Sequence, residues 1–515
     1  MKDFVTRFQS LITGVLSGFD RLVFRGNLLP LMRPRGMHDF LGRAGIRLLD
    51  FGDYAGKTSE RVKGVALAAA REANRPVQYL PSSRGSKEDI AGKLLREHPV
   101  EAGVVCALYV VEPCRAFEYH RSQVVDERGL RLVDRKCLHV YQYRIHPTFG
   151  FMNARIQTWF PFNVQICLNG REWLARQLAA EGIDFKRHDN CFLSVGDLPR
   201  ASALLADQLT TDWPTVLTEI AWWLNPLHPE IFADAPMDYY WSAYQTEWAT
   251  DVMFRDPAAL AALYPAFVRH AVHHFKSPDV MRFLGRKAHG AYLGEIVTSF
   301  KDRAEGVRVK HWVHHNSIKM YDKGGSVLRI ETTLANVRDF KVLRPRRDQP
   351  EAKLEWQPLR KGVADLHRRA AVSQAANERY LDALSVVDDS TPLADLLDTV
   401  AKPTTYRDKR VRAIRTGDPE DIALLAAVSR GEFATAGFRN RDIRLLLHPQ
   451  STHATRDDIR RIAARVGRLL RLLRAHGLIR KVQRSHRYIL TPRGNQITAA
   501  LSASRNATIK QLLAA

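Results

Sequence analysis

The tract RDDIRRIAARVGRLLRLLRAHG, residues 456–477, constrains the fold more than any other part of the chain. Ile459, Ile462, Val466, Leu469, Leu470 and Leu473 recur at helical spacing and form one apolar stripe, with arginines elsewhere on the helix. Such a helix must bury its stripe against neighbours, and the flanking sequence supplies them. A helix pattern covers 418–427 and a shorter one 440–447, after the turn GFRN. Gly477 follows as a C-cap, LIRKVQRSHRYIL reads as two short strands around a basic turn, and PRGNQITAAL opens a closing helix.

The order helix, helix, long helix, β-hairpin over about 420–505 resembles winged helix-turn-helix domains, with HGLIRK and HRYILT as the wing. The resemblance implies nucleic-acid binding. Arg461, Arg465 and Arg468 project from a face other than the apolar stripe, and Arg480, Lys481, Arg484 and Arg487 crowd the wing. A helix can then enter the major groove while wing cations neutralise neighbouring phosphates.

Charge points the same way. Lys and Arg number 78 against 55 Asp and Glu, a formal net charge of +23, and such a surface attracts polyanions. The expected partner is DNA or a structured RNA. The five cysteines, Cys106, Cys114, Cys137, Cys167 and Cys191, show no CxxC spacing, so they read as reduced thiols rather than a disulfide framework or zinc site. No apolar run is long enough for a membrane span and the N-terminus has no signal-peptide pattern, so a cytoplasmic location is expected.

The whole reads as a multidomain α+β chain: β-rich N-terminal and central parts, a helical insert and the C-terminal winged helix. The expected divisions are an α/β domain at 1–200, a helical segment with a β-hairpin at 201–385, a turn-rich linker at 386–417, and the nucleic-acid-binding domain at 418–515. Residues 3–17 fit an amphipathic helix, Asp20–Phe24 is β-like, and 60–75 and 87–97 are helical. Strand patterns dominate 103–195, with a break at Pro161 and a helix N-cap at Asn169; helix is expected over most of 200–300.

The candidate chemistry lies in NSIKMYDKGGSVLRIETTL. Two strands, 317–321 and 327–334, flank a turn at 322–326. Residues two apart share a face, so Lys319, Tyr321 and Lys323 point one way while Arg329 and Glu331 share a face on the partner strand. A phenol between two cations favours its phenolate, which suits attack on a phosphodiester and a phosphotyrosine intermediate. A nearby carboxylate could hold Mg²⁺ or Mn²⁺ to polarise the phosphate. The stretch looks like the Y-[DN]-K…R-x-E segment of rolling-circle replication initiators from plasmids and filamentous-phage-type elements. That resemblance implies Tyr321 and Lys323 at the cleavage site with Arg329 and Glu331 beside them. Many such nickases bind metal through a His-hydrophobe-His triplet. None of the 19 histidines has that spacing, so carboxylates would replace it: Glu331 and Asp20, with Glu247 and Asp251 as a further pair at i,i+4 on one helical face.

Other patterns carry less. His270, His273 and His274 have helical spacing without an acidic or cysteine partner, and His311, His314 and His315 flank the Tyr321 strand. GDYAGKTS is one residue short of a P-loop, which excludes that mode of nucleotide binding. Trp159, Phe160, Phe162, Tyr239, Tyr240 and Trp241 offer either core or stacking platforms. The expected function is DNA strand nicking and joining for a mobile element. The alternatives are a non-enzymatic regulator or ribonucleoprotein component, and a carboxylate metal-dependent nuclease or transposase with water as nucleophile.

Overall fold

The N-terminal segment is mostly strand where its apolar spacing suggests helix. The helix spans only Lys2–Arg7, and strand β1, Ile12–Asn27, takes over. ITGV and SG combine β-branched residues with glycine, both poor helix formers, and β1 gains a pairing partner on each edge.

The computed structural model describes residues 1–120, 129–275, 277–285, 296–303, 306–338, 340–345, 351, 355–385, 393–430, 433, 437–450, 455–482 and 485–506. It is a mixed α+β structure. It divides into two compact units, one of Met1–Pro265 with Val297–Asp382, the other of Ala266–Ile296 with Ala383–Ala515.

The first unit is built on one sheet. After β1 its strands are β2 (Val77–Leu80), β3 (Gly103–His120), β4 (Gly129–His146), β5 (Gly150–Gln157) and β6 (Val164–Asn169). A separate hairpin, β7 (Phe185–His188) and β8 (Cys191–Val195), precedes β9 (Tyr240–Phe254). Then come β10 (Ile296–Arg303), β11 (Gly306–Val313), β12 (Asn316–Lys323) and β13 (Val327–Leu334). The order across the 11-stranded sheet is β10-β11-β12-β13-β9-β1-β6-β5-β4-β3-β2. Two expectations change here. QTEWATDVMF is strand, not helix, because β9 is held between β1 and β13. The expected boundary near residue 200 falls inside one unit, since β9 from the second segment pairs with β1 from the first.

The helix Leu366–Leu384 covers one face of β9 and β13. The Asn377 amide donates to the Trp248 carbonyl, Thr250 Oγ1 and the Ile330 carbonyl, each at 3.1 Å, and accepts from Thr332 Oγ1 at 2.7 Å. Trp248 Nε1 donates to Gln374 Oε1 at 2.8 Å. On the opposite face the helix Gly170–Ala180 starts directly over β1. Its N-cap, Asn169, accepts from the Arg171 and Glu172 amides at 2.9 and 3.0 Å, as expected. A Cβ on Gly170 would overlap the Phe19 carbonyl oxygen, so this approach requires glycine.

Of the aromatic clusters, Phe160 and Phe162 are fully buried and pack against Phe40 and Phe232 respectively; Tyr239 and Trp241 are also buried, while Tyr240 is exposed. Those four buried rings are core, while Trp159 is half-buried and its Nε1 donates to the Phe117 carbonyl at 2.8 Å. Residues 52–59 lie inside the helix Phe51–Glu72, so their amides are not arranged as a phosphate loop.

The C-terminal unit contains the helices Pro419–Val428, Asn440–Leu447 and Arg456–Ala475, the paired strands Ile479–Lys481 and Tyr488–Leu490, and the helix Pro492–Asn506. A further bridge joins Phe438 to Tyr488. Val466, Leu469, Leu470 and Leu473 meet Leu424, Ile443, Leu478 and Ile497 in one core. Gly477, at φ +70°, ends the long helix as expected. The described part of the expected linker is folded. Residues 393–417 form the helix Leu393–Asp398 and the hairpin Thr404–Tyr406 with Lys409–Val411, and bury Val400 and Ile414 in that same core. Among the described residues no helix is long and apolar enough to cross a membrane.

Asn377→Ala removes four hydrogen bonds to buried groups and is expected to cost about 2–4 kcal/mol. A lowered urea midpoint by tryptophan fluorescence checks this; an unchanged midpoint would mean the amide is dispensable.

Candidate metal and strand-transfer site

The β12–β13 hairpin turns through Gly324 and Gly325, both with positive φ. Its register pairs Lys319 with Glu331 and Tyr321 with Arg329, so the five expected residues do share a face. The next strand continues the face: Arg329 lies opposite Asp251 on β9, and Glu247 opposite Thr333. Four residues apart, Glu247 and Asp251 still share a face, through the two-residue period of a strand rather than a helix turn.

β1 brings in the last member by an irregularity. Phe19 pairs with Trp248 and Leu22 with Thr246, leaving Asp20 and Arg21 opposite Glu247 alone. This bulge re-aims Asp20 toward β9 and β13. One carboxylate oxygen each from Asp20, Glu247 and Glu331 then lie within 4.8 Å of one another. Asp20 and Glu331 are buried and Glu247 is half-buried. Asp251 does not join them. Its oxygens accept from Arg329 Nε and Nη2 at 2.5 and 2.9 Å, and Arg171 Nη2 lies 3.2 Å away.

Arg329 is fully buried, so its place is internal rather than at a substrate surface. Besides Asp251 it reaches Asp20 Oδ2 at 3.3 Å and donates to the Asn190 carbonyl at 2.8 Å. Asn190, at the β7–β8 turn, donates to Asp20 Oδ1 at 2.6 Å. Lys319 Nζ is 2.6 Å from Glu331 Oε1, and Lys323 Nζ is 2.8 Å from Asp189 and also donates to Asn190 Oδ1.

These pairings reverse one expectation. The two lysines flanking Tyr321 are matched by carboxylates, and the phenol donates to Glu331 Oε2 at 2.9 Å. Burial, with Glu331 beside it, raises the Tyr321 pKa well above the ordinary phenol value against the pull of Arg329. The resting residue is therefore a neutral hydrogen-bond donor, not a phenolate.

The carboxylates are set apart by their surroundings. Burial and then the neighbouring Glu331 push Glu247 up to about 7. Burial also raises Asp20, with Arg329 opposing. For Glu331 burial acts upward, but Lys319 and Arg329 prevail and hold it below the usual range. Three converging oxygen donors, two of them with burial penalising their charged form, fit a hard divalent cation such as Mg²⁺ or Mn²⁺.

Beside the cluster runs a basic strip. Lys310 on β11 pairs with Lys319, which places Arg308, Lys310 and Trp312 on the site's face, and Lys310 Nζ sits 4.6 Å from the Trp312 ring centre. Alternation in VRVKHWV carried that signal. Asn190 and Arg171 had none, since a turn and a helix start say nothing of long-range partners. His311 faces away, between Thr298 Oγ1 at 2.8 Å and Tyr380 Oη at 3.1 Å, while His270 and His274 stack in the other unit.

In the C-terminal unit Arg461, Arg465 and Arg468 are exposed on the long helix, with Arg461 2.8 Å from Asp458 and Arg465 2.6 Å from Glu420. Arg480 and Lys481 are exposed, Arg487 donates to the Gly437 carbonyl at 3.2 Å, and Arg484 lies outside the described residues. In comparisons with protein-family models, curated proteins and solved structures, no match to this chain was found.

With its folded pKa above the unfolded 4.5, Glu247 binds more protons folded than unfolded, so its contribution to stability falls as pH rises from about 4.5 through about 7. Without metal, Glu247→Gln is expected to melt higher than wild type at pH 8 and to lose the advantage at pH 4, by calorimetry. In wild type, Mn²⁺ affinity by titration calorimetry should rise as pH passes about 7. Arg329→Met leaves Asp20 and Asp251 undercompensated and is expected to destabilise by about 3–5 kcal/mol; a melting point equal to wild type would contradict that.

Proposed function

We propose that the chain is a metal-dependent enzyme that cleaves and rejoins nucleic-acid strands at the Asp20–Glu247–Glu331 cluster, with Tyr321 as nucleophile. The observation that carries this reading is the convergence of three carboxylates from three strands within 4.8 Å, with the Tyr321 hydroxyl 2.9 Å from one of them. A divalent cation held there would polarise the scissile phosphate. Glu331 accepts the Tyr321 proton as the phenol oxygen bonds to phosphorus, and the P–O bond to the departing strand breaks. The leaving oxygen takes a proton from solvent. Lys319, 2.6 Å from Glu331, balances charge on that carboxylate, and Arg308, Lys310 and Trp312 line the approach for a phosphate backbone and an unpaired base.

The C-terminal unit supplies attachment in this reading. Its order of three helices and a hairpin fits a winged helix-turn-helix, with Arg456–Ala475 as the groove-reading helix and Ile479–Leu490 as the wing. A second reading, hydrolysis by water at the same cluster, is favoured by the burial that keeps Tyr321 protonated.

Labelled single-stranded DNA with Mn²⁺, resolved on denaturing gels, separates the two. A DNA–protein adduct that Tyr321→Phe abolishes is the expected result, and Glu331→Gln should cut cleavage about 100-fold or more. Cleavage without adduct, surviving Tyr321→Phe, would replace transfer by hydrolysis. Binding with neither would leave a non-enzymatic nucleic-acid-binding protein.

A further inference from the structure

The segment expected as a linker adds Arg410 and Arg412 to Arg465, Arg468 and Arg471 of the long C-terminal helix, and together they form a groove. Arg410 on the hairpin and Arg412 just after it line, with Arg465, Arg468 and Arg471, a cavity of about 570 Å³. An adjoining cavity of about 440 Å³ shares Arg410 and Arg412 and extends to Arg415. The hairpin is tied to the helix by Arg474, whose guanidinium lies 5.5 Å from the Tyr406 ring centre.

Five guanidinium groups line the larger cavity against a single carboxylate, Glu420. Glu420 is taken by Arg465 at 2.6 Å, and Arg412 is held by Asp421 from behind, also at 2.6 Å. Arg410, Arg468 and Arg471 are exposed, and among the described residues none of them forms an ion pair. From Arg465 to Arg471 the helix rises about 9 Å, a length over which one strand of a duplex presents two or three phosphates. Guanidinium forks favour bidentate phosphate contacts, and an open track of them suits a continuous backbone better than one small anion.

We propose that this arginine groove seats consecutive phosphates of a nucleic-acid duplex. The inference rests on the nucleic-acid-binding reading of the C-terminal unit and is independent of strand cleavage. It makes the segment 403–415 a second attachment arm rather than a spacer.

The test uses the full chain and a 20-base-pair DNA duplex, with fluorescence anisotropy over a range of NaCl concentrations. The double variant Arg410→Gln/Arg471→Gln should flatten the slope of log affinity against log salt by about 1.8, since each lost phosphate contact removes about 0.9. The charge-preserving pair Arg410→Lys/Arg471→Lys should keep the wild-type slope, and Arg480→Gln/Lys481→Gln on the wing should reduce it separately. A wing variant that loses slope while the glutamine groove variant does not would overturn the groove and leave nucleic-acid binding standing. A lysine pair as weak as the glutamine pair would overturn it as well. Wild type without salt-sensitive binding would overturn both. If an RNA duplex of the same sequence shows the loss and DNA does not, the groove stands with RNA as the source of its phosphates.

Discussion

The buried pairing of Arg329 with Asp251 is the contact on which the site depends. Both side chains are fully buried, and Arg329 uses its remaining donors on Asp20 and on the Asn190 carbonyl. One guanidinium thereby connects β13, β9, β1 and the β7–β8 turn. Burying such charges is costly unless each is paired and hydrogen-bonded, and here Arg171 adds a second cation to Asp251 and a bond to the Ala249 carbonyl at 2.9 Å. The same network leaves Asp20 poised beside Glu247 instead of folded back on its own strand.

Around that anchor the two faces of the sheet have different chemistry. Asn377 and Gln374 satisfy polar groups of β9 and β13 on the helix-covered face, so those strands are locked from behind. The other face keeps three carboxylates close, with Lys319 compensating Glu331 and no equivalent cation bonded to Glu247 among the described residues. Burial, followed by repulsion among the carboxylates, raises the proton affinity of Glu247 and Asp20, and the same preorganisation suits a divalent ion. Tyr321 is tied into this balance through its hydrogen bond to Glu331.

Local pattern made part of this legible. The period-2 alternation of NSIKMYDK and VLRIETTL identified the hairpin, with Lys319 and Tyr321 sharing a face on one strand and Arg329 and Glu331 sharing a face on the other, and the register of the pair makes these the same face. The C-terminal helices with Gly477, and the Asn169 cap of the helix Gly170–Ala180, were equally readable, because helix periodicity and caps are set within a few residues. QTEWATDVMF was not readable, since its spacing of apolar residues fits a helix until β1 and β13 claim it on either side. Residues 403–415 failed differently: turn residues marked them as a linker, while their burial of Ile414 depends on a helix 50 residues away.

By itself the sequence determined the elements whose signals are local: the amphipathic helix, the hairpin face, the strong positive charge and the identity of every carboxylate. Tertiary structure decided which carboxylates meet. Asp20 reaches Glu247 through a bulge, and Glu331 reaches both because β13 lies beside β9; Asp251, equally acidic and on the same face, is instead held by two arginines. Register between strands more than 200 residues apart leaves no local trace in composition or spacing, because it is fixed by packing across the whole sheet.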